Sequence, residues 1–376
     1  MIKPSNIAKL AIALALLLGC ATDAAYAQDV SARAWVLTDA RSGEYLAGEN
    51  ASARLPIAST TMIMLTLVAL QEADLDKEVA VSWEAAAFAK PPYSNVGFAA
   101  GDVLSVRELL EATMISSGDD AAYALAENLG DGSADDLVDK MNQEVESFGL
   151  EDTHVENPVG FDASEQYSSA RDLAQMTRLA MGYPEFREMV STTYTTISTR
   201  NREIPLTNTN DLLFTYPPAT GVKTGTTPEA GPSLVASAAA DNESYLFVVL
   251  DAREDRFAAP IRELEHGFAT YERVDLAHEG QRCARAEVPY RRGETVDLVA
   301  KESVEGLADG DSDVEREVRV SEDLPGSARP VTELGEVVVE VDGRRVGKSP
   351  LVTRGGYDEA SLWERVWYTV EGAWKE

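Results

Sequence analysis

The chain has 376 residues, with 64 acidic against 33 basic side chains and a formal net charge of −31. That charge opposes association with nucleic acid and with anionic lipid at low salt, and so argues against nucleic acid as a partner. Two cysteines and three histidines supply no zinc framework; if Cys20 leaves with a leader no intramolecular disulfide is possible, so stability must rest on packed cores, for which the length is ample and favours two domains.

Positions 1–27 read as a secretory leader. Lys3 and Lys9 precede the apolar run Leu10 to Leu18, and Ala25-Tyr26-Ala27 offers a small-residue cleavage site. Leu17-Leu18-Gly19-Cys20 offers a second cut, that of a bacterial lipoprotein with Cys20 as its lipid-bearing terminus. On either reading the chain is expected outside the cytoplasm.

Ala34 to Thr38 and Glu44 to Ala47 flank the turn residues Asp39 to Gly43, which predicts a β-hairpin. Ser59 to Leu70 is apolar on most sides and predicts a buried helix with Ser59 in its first turn. Ser105 and Glu108 have capping-box spacing and open a helix carrying Leu109, Leu110, Thr113 and Met114 until Gly118 interrupts. A second helix runs from about Asp120 to Gly130, so Ser117-Gly118-Asp119 falls on the connection. Leu137, Met141, Val145 and Phe148 mark a further amphipathic helix. Beyond Lys223 come strands at Ser233 to Ala238 and Tyr245 to Leu250 about a turn at Asp241-Asn242, then a helix from about Ala259 to Tyr271.

From about Glu272 the pattern changes to short alternating runs, an acidic stretch from Gly306 to Asp313, and a hairpin signal at Val337 to Val341 before Asp342-Gly343. This predicts a small all-β domain. The segment from Asp358 to Glu376 places Leu362, Trp363, Val366, Trp367, Val370 and Trp374 on one helical face and is too short and too charged to span a bilayer. Two readings stay open: an interfacial amphipathic helix, or a terminal helix docked on the β-domain, with Glu364, Glu371 and Glu376 weakening attraction to anionic lipid.

Three motifs follow one another in the first unit: Ser59-Thr60-Thr61-Met62, Ser117-Gly118-Asp119 and Lys223-Thr224-Gly225. Ordered Ser-x-x-Lys, Ser-Asp-Asn and Lys-Thr-Gly triplets mark serine acyltransferases. With Leu55 to Thr61, Ser117 to Ala122, Leu150 to His154, Asn157-Pro158-Val159-Gly160, Tyr167 to Ala170 and Gly221 to Thr226, the stretch from about Ala32 to Tyr271 resembles the D-alanyl-D-alanine carboxypeptidases among the low-molecular-mass penicillin-binding proteins. The resemblance implies an α/β fold: a β-lactamase/transpeptidase-like catalytic domain with an antiparallel sheet flanked by helices and a helical subdomain at 28–272, a small β-domain at 273–355, and an amphipathic C-terminal helix at 356–376 that serves as an anchor. It implies removal of the terminal D-alanine from peptidoglycan stem peptides through an acyl-serine intermediate, with β-lactams as substrate mimics. No cofactor and no metal are implied.

The same resemblance makes Ser59 the nucleophile and puts the family's general-base lysine at position 62. A serine hydroxyl needs a base within hydrogen-bond reach, and a residue three positions on shares its helical face. Met62 has no useful basicity. General acid–base catalysis contributes on the order of 10²–10⁴-fold, so acylation is expected to be very slow or absent. Three explanations stand: a natural pseudoenzyme that only holds stem peptides, an altered gene, or a base supplied from elsewhere, with Lys223 the first suspect. Leu65, where the family usually has Thr, hints at broader drift.

Ser117 keeps a hydroxyl able to relay a proton, whereas Asp119 replaces the family's Asn and trades an amide donor for a negative charge. Lys223 is implied as a cation for the substrate carboxylate, Thr224 as a hydroxyl partner, and Gly225 as a close backbone approach for a peptide laid along the strand edge. Arg256 is a candidate second carboxylate clamp, and the N–H groups of Ser59 and of a residue near Thr226 are the expected oxyanion hole. His154, His266 and His278 lack zinc-helix spacing, and no Glu stands four residues before an Asn between Asp120 and Lys223, so metallopeptidase, Ser-His-Asp and class A β-lactamase chemistries find no support.

Overall fold

Apolar runs early and late in the chain meet in one sheet. The computed structural model describes residues 30–373 apart from 131, 292, 322 and 323. The leader at 1–27, Cys20 and Trp374 lie outside the described residues, as do the side chains of Val370 and Glu371.

Strands β1 (Ala32–Asp39) and β2 (Tyr45–Glu49) form the expected hairpin. They are joined by β3 (Ala219–Thr227), β4 (Gly231–Ala240) and β5 (Glu243–Ala252) in the order β2-β1-β5-β4-β3, antiparallel throughout. The turn between β4 and β5 places Asp241 and Asn242 at φ +48° and +67°, the pair of left-handed residues that a tight two-residue hairpin needs. Because side chains alternate across a strand, β5 serves two cores. Val248 and Leu250 enter the larger one with the inserted helices, while Tyr245, Phe247 and Val249 face α6 (Ala258–Thr270).

The inserted helices supply the other half of the cleft. A 3₁₀ turn, Ala58–Thr61, leads into α1 (Met62–Glu72), whose side chains from Met62 to Ala69 are all buried. A helix apolar all round can be stable only inside. The capping box is formed at α2 (Val106–Ile115): Ser105 Oγ accepts the Glu108 N–H at 3.2 Å and Glu108 Oε2 accepts the Ser105 N–H at 2.8 Å. After two linking residues and Gly118 comes α3 (Asp119–Leu129), then α4 (Ala134–Ser147), which buries Leu137, Met141 and Val145, and α5 (Ala170–Ala180), which packs into the same core.

Past α6, β6 (Glu272–Ala277) pairs with β9 (Val304–Ala308), and β7 (Arg282–Glu287), β8 (Thr295–Ala300), β10 (Val314–Val320), β11 (Glu333–Val341) and β12 (Arg344–Thr353) form a second antiparallel sheet in the order β7-β8-β12-β11-β10. Asp342 and Gly343 turn the β11–β12 hairpin with φ +52° and +72°. Arg273 ties this part to the first sheet by donating to Asp39 at 3.1 Å and Glu243 at 2.9 Å. The last helix, α7 (Leu362–Ala373), leaves Leu362, Trp363, Val366 and Trp367 exposed, while the Tyr368 ring meets Tyr290 edge-on. No described helix is long and apolar enough to cross a membrane.

Candidate active site

Ser59 is held by a turn that the chain builds from distant pieces. Ala58 before it has φ +50°, a conformation that costs a non-glycine residue about 1–3 kcal/mol and persists only where its surroundings impose it. Thr60 and Thr61 donate their hydroxyls back to Ile57 O and Ala58 O at 2.7 and 3.0 Å, and Gln166 Nε2 donates to Thr61 Oγ1 at 2.9 Å. Asn157 Oδ1 accepts the N–H groups of Gly160 and Phe161 at 2.8 and 2.9 Å. That loop brings Gly160 so close that a Cβ there would lie 1.9 Å from Ala58 O; one on Gly225 of β3 would lie 2.9 Å from Ile57 O. The Asn157–Gly160 motif and the glycine of Lys223-Thr224-Gly225 thus both exist to let backbone approach the serine turn.

A comparison of two glycines isolates this packing. Gly160 and Gly97 both have left-handed φ, +87° and +81°, but a Cβ on Gly97 meets nothing within 4 Å. Gly97→Ala is expected to cost only the left-handed penalty, about 1–2 kcal/mol. Gly160→Ala should cost more than about 4 kcal/mol or displace the Ser59 turn, because backbone cannot yield as a side chain does. Urea unfolding of the two variants checks this, and equal losses would show that the turn does not depend on Gly160.

The second motif is also strained. Ser117 follows the end of α2 with φ +56°. Its neighbour Asp119 opens α3 and donates its N–H to Ser94 O at 2.8 Å. Asp120 accepts the N–H groups of Val96, Gly97 and Phe98 at 3.1, 2.9 and 2.9 Å, which fastens the loop carrying Ser94 to the rim.

The third motif lies on β3, an edge of the first sheet. Lys223 is buried, and its Nζ donates to Ser117 Oγ at 2.7 Å and to Thr224 O at 3.0 Å. Thr224 Oγ1 and Thr209 Oγ1 are hydrogen bonded at 2.7 Å. Arg256 Nη1 donates to Gly225 O at 3.0 Å and Thr226 Oγ1 at 2.9 Å. Met62 is fully buried, with its Sδ 3.9 Å from Ser117 Oγ.

These elements enclose a cleft of about 290 Å³ lined by Ser59, Ser94, Ser117, Thr209, Asp211, Thr224, Gly225, Thr226, Arg256 and Phe257. Six of the expected residues therefore share one wall-to-wall space, whereas Asp119, Lys223 and Met62 do not line it. Ser94, Thr209, Asp211 and Phe257 carry no local signal of a site, and only the folding of separate loops onto the cleft reveals them. Burial pushes the Asp119 carboxyl up to about 7, against the opposing pull of Lys223. Burial likewise brings the Lys223 amine down to about 7, with Arg256 adding to the shift and Asp119 opposing it. Asp119 Oδ1 is buried with no hydrogen-bond partner among the described residues.

Residues 21–254 match the family described as D-alanyl-D-alanine carboxypeptidase. The chain is 31% identical over 343 residues to D-alanyl-D-alanine carboxypeptidase DacF of Bacillus subtilis, covering 88% of this chain and 87% of that one. It is also 31% identical over 360 residues to DacC of Escherichia coli, with 91% and 88% covered. Among solved structures, penicillin-binding protein 5 from Haemophilus influenzae superposes with a TM-score of 0.73 at 28% identity, covering 88% of this chain and 98% of that one. The Streptomyces K15 DD-transpeptidase gives 0.61 at 32% identity over 64% of this chain and 98% of its own. With the transpeptidase-like sheet, the helical insertion and the three motifs around one cleft, the chain belongs to the D-alanyl-D-alanine carboxypeptidase family of serine peptidases.

Proposed function

We propose that the chain is an exported serine carboxypeptidase that removes the terminal D-alanine from peptidoglycan stem peptides through an acyl-Ser59 intermediate, at a rate limited by the lack of a base at position 62. The observation that carries this reading is the convergence of Ser59, Ser117, Thr224, Gly225, Thr226 and Arg256 on one cleft beside an edge strand. A peptide extending the sheet along β3 would find backbone partners there. Its terminal carboxylate would meet Arg256, and its scissile carbonyl the N–H groups of Ser59 and the Thr226 region. β-Lactams are proposed to acylate the same serine.

Positions 1–27 are proposed as the leader, 28–272 as the catalytic unit, 273–355 as the β-domain, and 356–376 as an amphipathic contact with the membrane surface through Trp363 and Trp367. The fully buried Met62 favours a second reading, a silent protein that binds stem peptides without turning them over. Release of free D-alanine from an N-acylated L-Lys-D-Ala-D-Ala tripeptide decides between them. Release that disappears in Ser59→Ala supports the peptidase, and saturable binding of the tripeptide without release supports the silent protein.

A further inference from the structure

We propose that Lys223, acting through the Ser117 hydroxyl, takes the proton that Ser59 loses on acylation, in place of the side chain that Met62 does not supply. The inference rests on the reading of Ser59 as the acylated nucleophile. Position 62 presents only a thioether to Ser117, at 3.9 Å. On the other side of the same hydroxyl stands an amine at 2.7 Å.

The geometry suits a neutral amine. Such a nitrogen has two hydrogens and one lone pair: an N–H can serve the Thr224 carbonyl at 3.0 Å, leaving the lone pair for the Ser117 O–H. Lys223 is 1% exposed and lies behind the wall of the cleft, so it is badly placed to grip a substrate carboxylate directly. Arg256, which lines the cleft, provides a cation for that purpose. Ser117 lies between the two environments, touching Lys223 on the buried side and lining the cleft with Ser59 on the other. Its strained left-handed backbone fits a residue whose side-chain direction matters more than its conformational ease.

The charged groups acting on Lys223 are Asp119, at the start of α3, and Arg256, after β5; Asp120 acts in turn on Asp119. Burial and Arg256 favour the neutral amine and Asp119 favours the ammonium, leaving the amine about half deprotonated near neutral pH. A base titrating near the working pH is the effective kind.

In the acylation step Ser59 Oγ bonds to the carbonyl carbon of the penultimate D-alanine. Its proton passes to Ser117 Oγ as the Ser117 proton passes to Lys223 Nζ. The reverse transfer then delivers a proton to the departing amine as the C–N bond breaks, so the relay ends as it began. The β-lactam reaction runs the same way, its amine remaining attached.

The test is the second-order rate of labelling of the full-length protein by a fluorescent penicillin from pH 5.5 to 9.5, for the unmodified chain, Lys223→Arg, Met62→Lys and the double variant. Arginine keeps the cation but does not release its proton in this range. The expected result is a rate that rises with pH through an apparent pKa near 7 in the unmodified chain, as the amine becomes neutral. In Lys223→Arg the rate should fall by about 10²-fold or more and lose that rise. Labelling of the double variant at least about tenfold above Lys223→Arg shows that the cleft is intact and only the base was lost. Lys223→Arg within about threefold of the unmodified chain, with the same profile, overturns the proposal. Labelling of Met62→Lys alone, with the unmodified chain silent at every pH, overturns it too but leaves Ser59 as nucleophile. Silence of both defeats the reading of Ser59 as well.

Discussion

Met62→Lys is expected to raise acylation by penicillin about 10²-fold at neutral pH. Methionine and lysine have similar length and unbranched stems, so the substitution fits the space that Met62 fills at the first turn of α1. The obstacle is charge, since position 62 is fully buried and burying an unpaired ammonium is costly. Ser117 Oγ, 3.9 Å from the Met62 sulfur, is an acceptor within reach and lowers that cost. An ammonium there and the Lys223 amine, which contacts the same hydroxyl, would push each other toward the neutral, basic form. Met62→Leu, which restores no base, is the control and should label within about threefold of the unmodified chain. An equal rise in both variants, measured by the covalent mass gain on Ser59, would show that packing rather than basicity limits the reaction.

Ser117→Ala is expected to lower acylation by about 10²-fold or more while leaving non-covalent binding of the stem peptide within a few-fold. The hydroxyl touches Lys223 and belongs to a residue that lines the cleft beside Ser59, so its removal interrupts the path of the proton without altering the Arg256 contacts or the Thr209–Thr224 hydrogen bond. The variant also leaves Lys223 one acceptor short in a buried position, which should cost about 1–3 kcal/mol of stability. Urea unfolding and tripeptide titration, run beside the acylation assay, separate these effects. Loss of tripeptide binding in parallel with the rate would mean that Ser117 contacts the peptide itself and is no relay.

Membership of the family was legible because the serine turn, the Ser117 connection and the β3 edge each need particular residues in a short stretch. Glycine is needed at 225, where a side chain would meet the backbone of Ile57, and again at 160 against Ala58. The hairpins were equally legible, since Asp241-Asn242 and Asp342-Gly343 are dipeptides that tolerate left-handed backbone. The start of the helix at Val106 was marked by its capping pair. The turn at Ser59 is 3₁₀ where a helix start is expected, and the helices Ala170–Ala180 and Pro184–Ser191 form where no element is expected.

What the sequence by itself determined, then, was the set of local conformations and the identity of the groups that could react, including the missing base at Met62. The tertiary structure alone decided which groups face one another and which face water. It put Lys223 behind the cleft against Ser117, with its amine shifted by burial, and brought Arg256 to the mouth and Thr209 onto Thr224. The physical reason is that turns, caps and glycine contacts are dictated within a few residues. Desolvation and charge pairing depend on atoms that folding brings together from far along the chain.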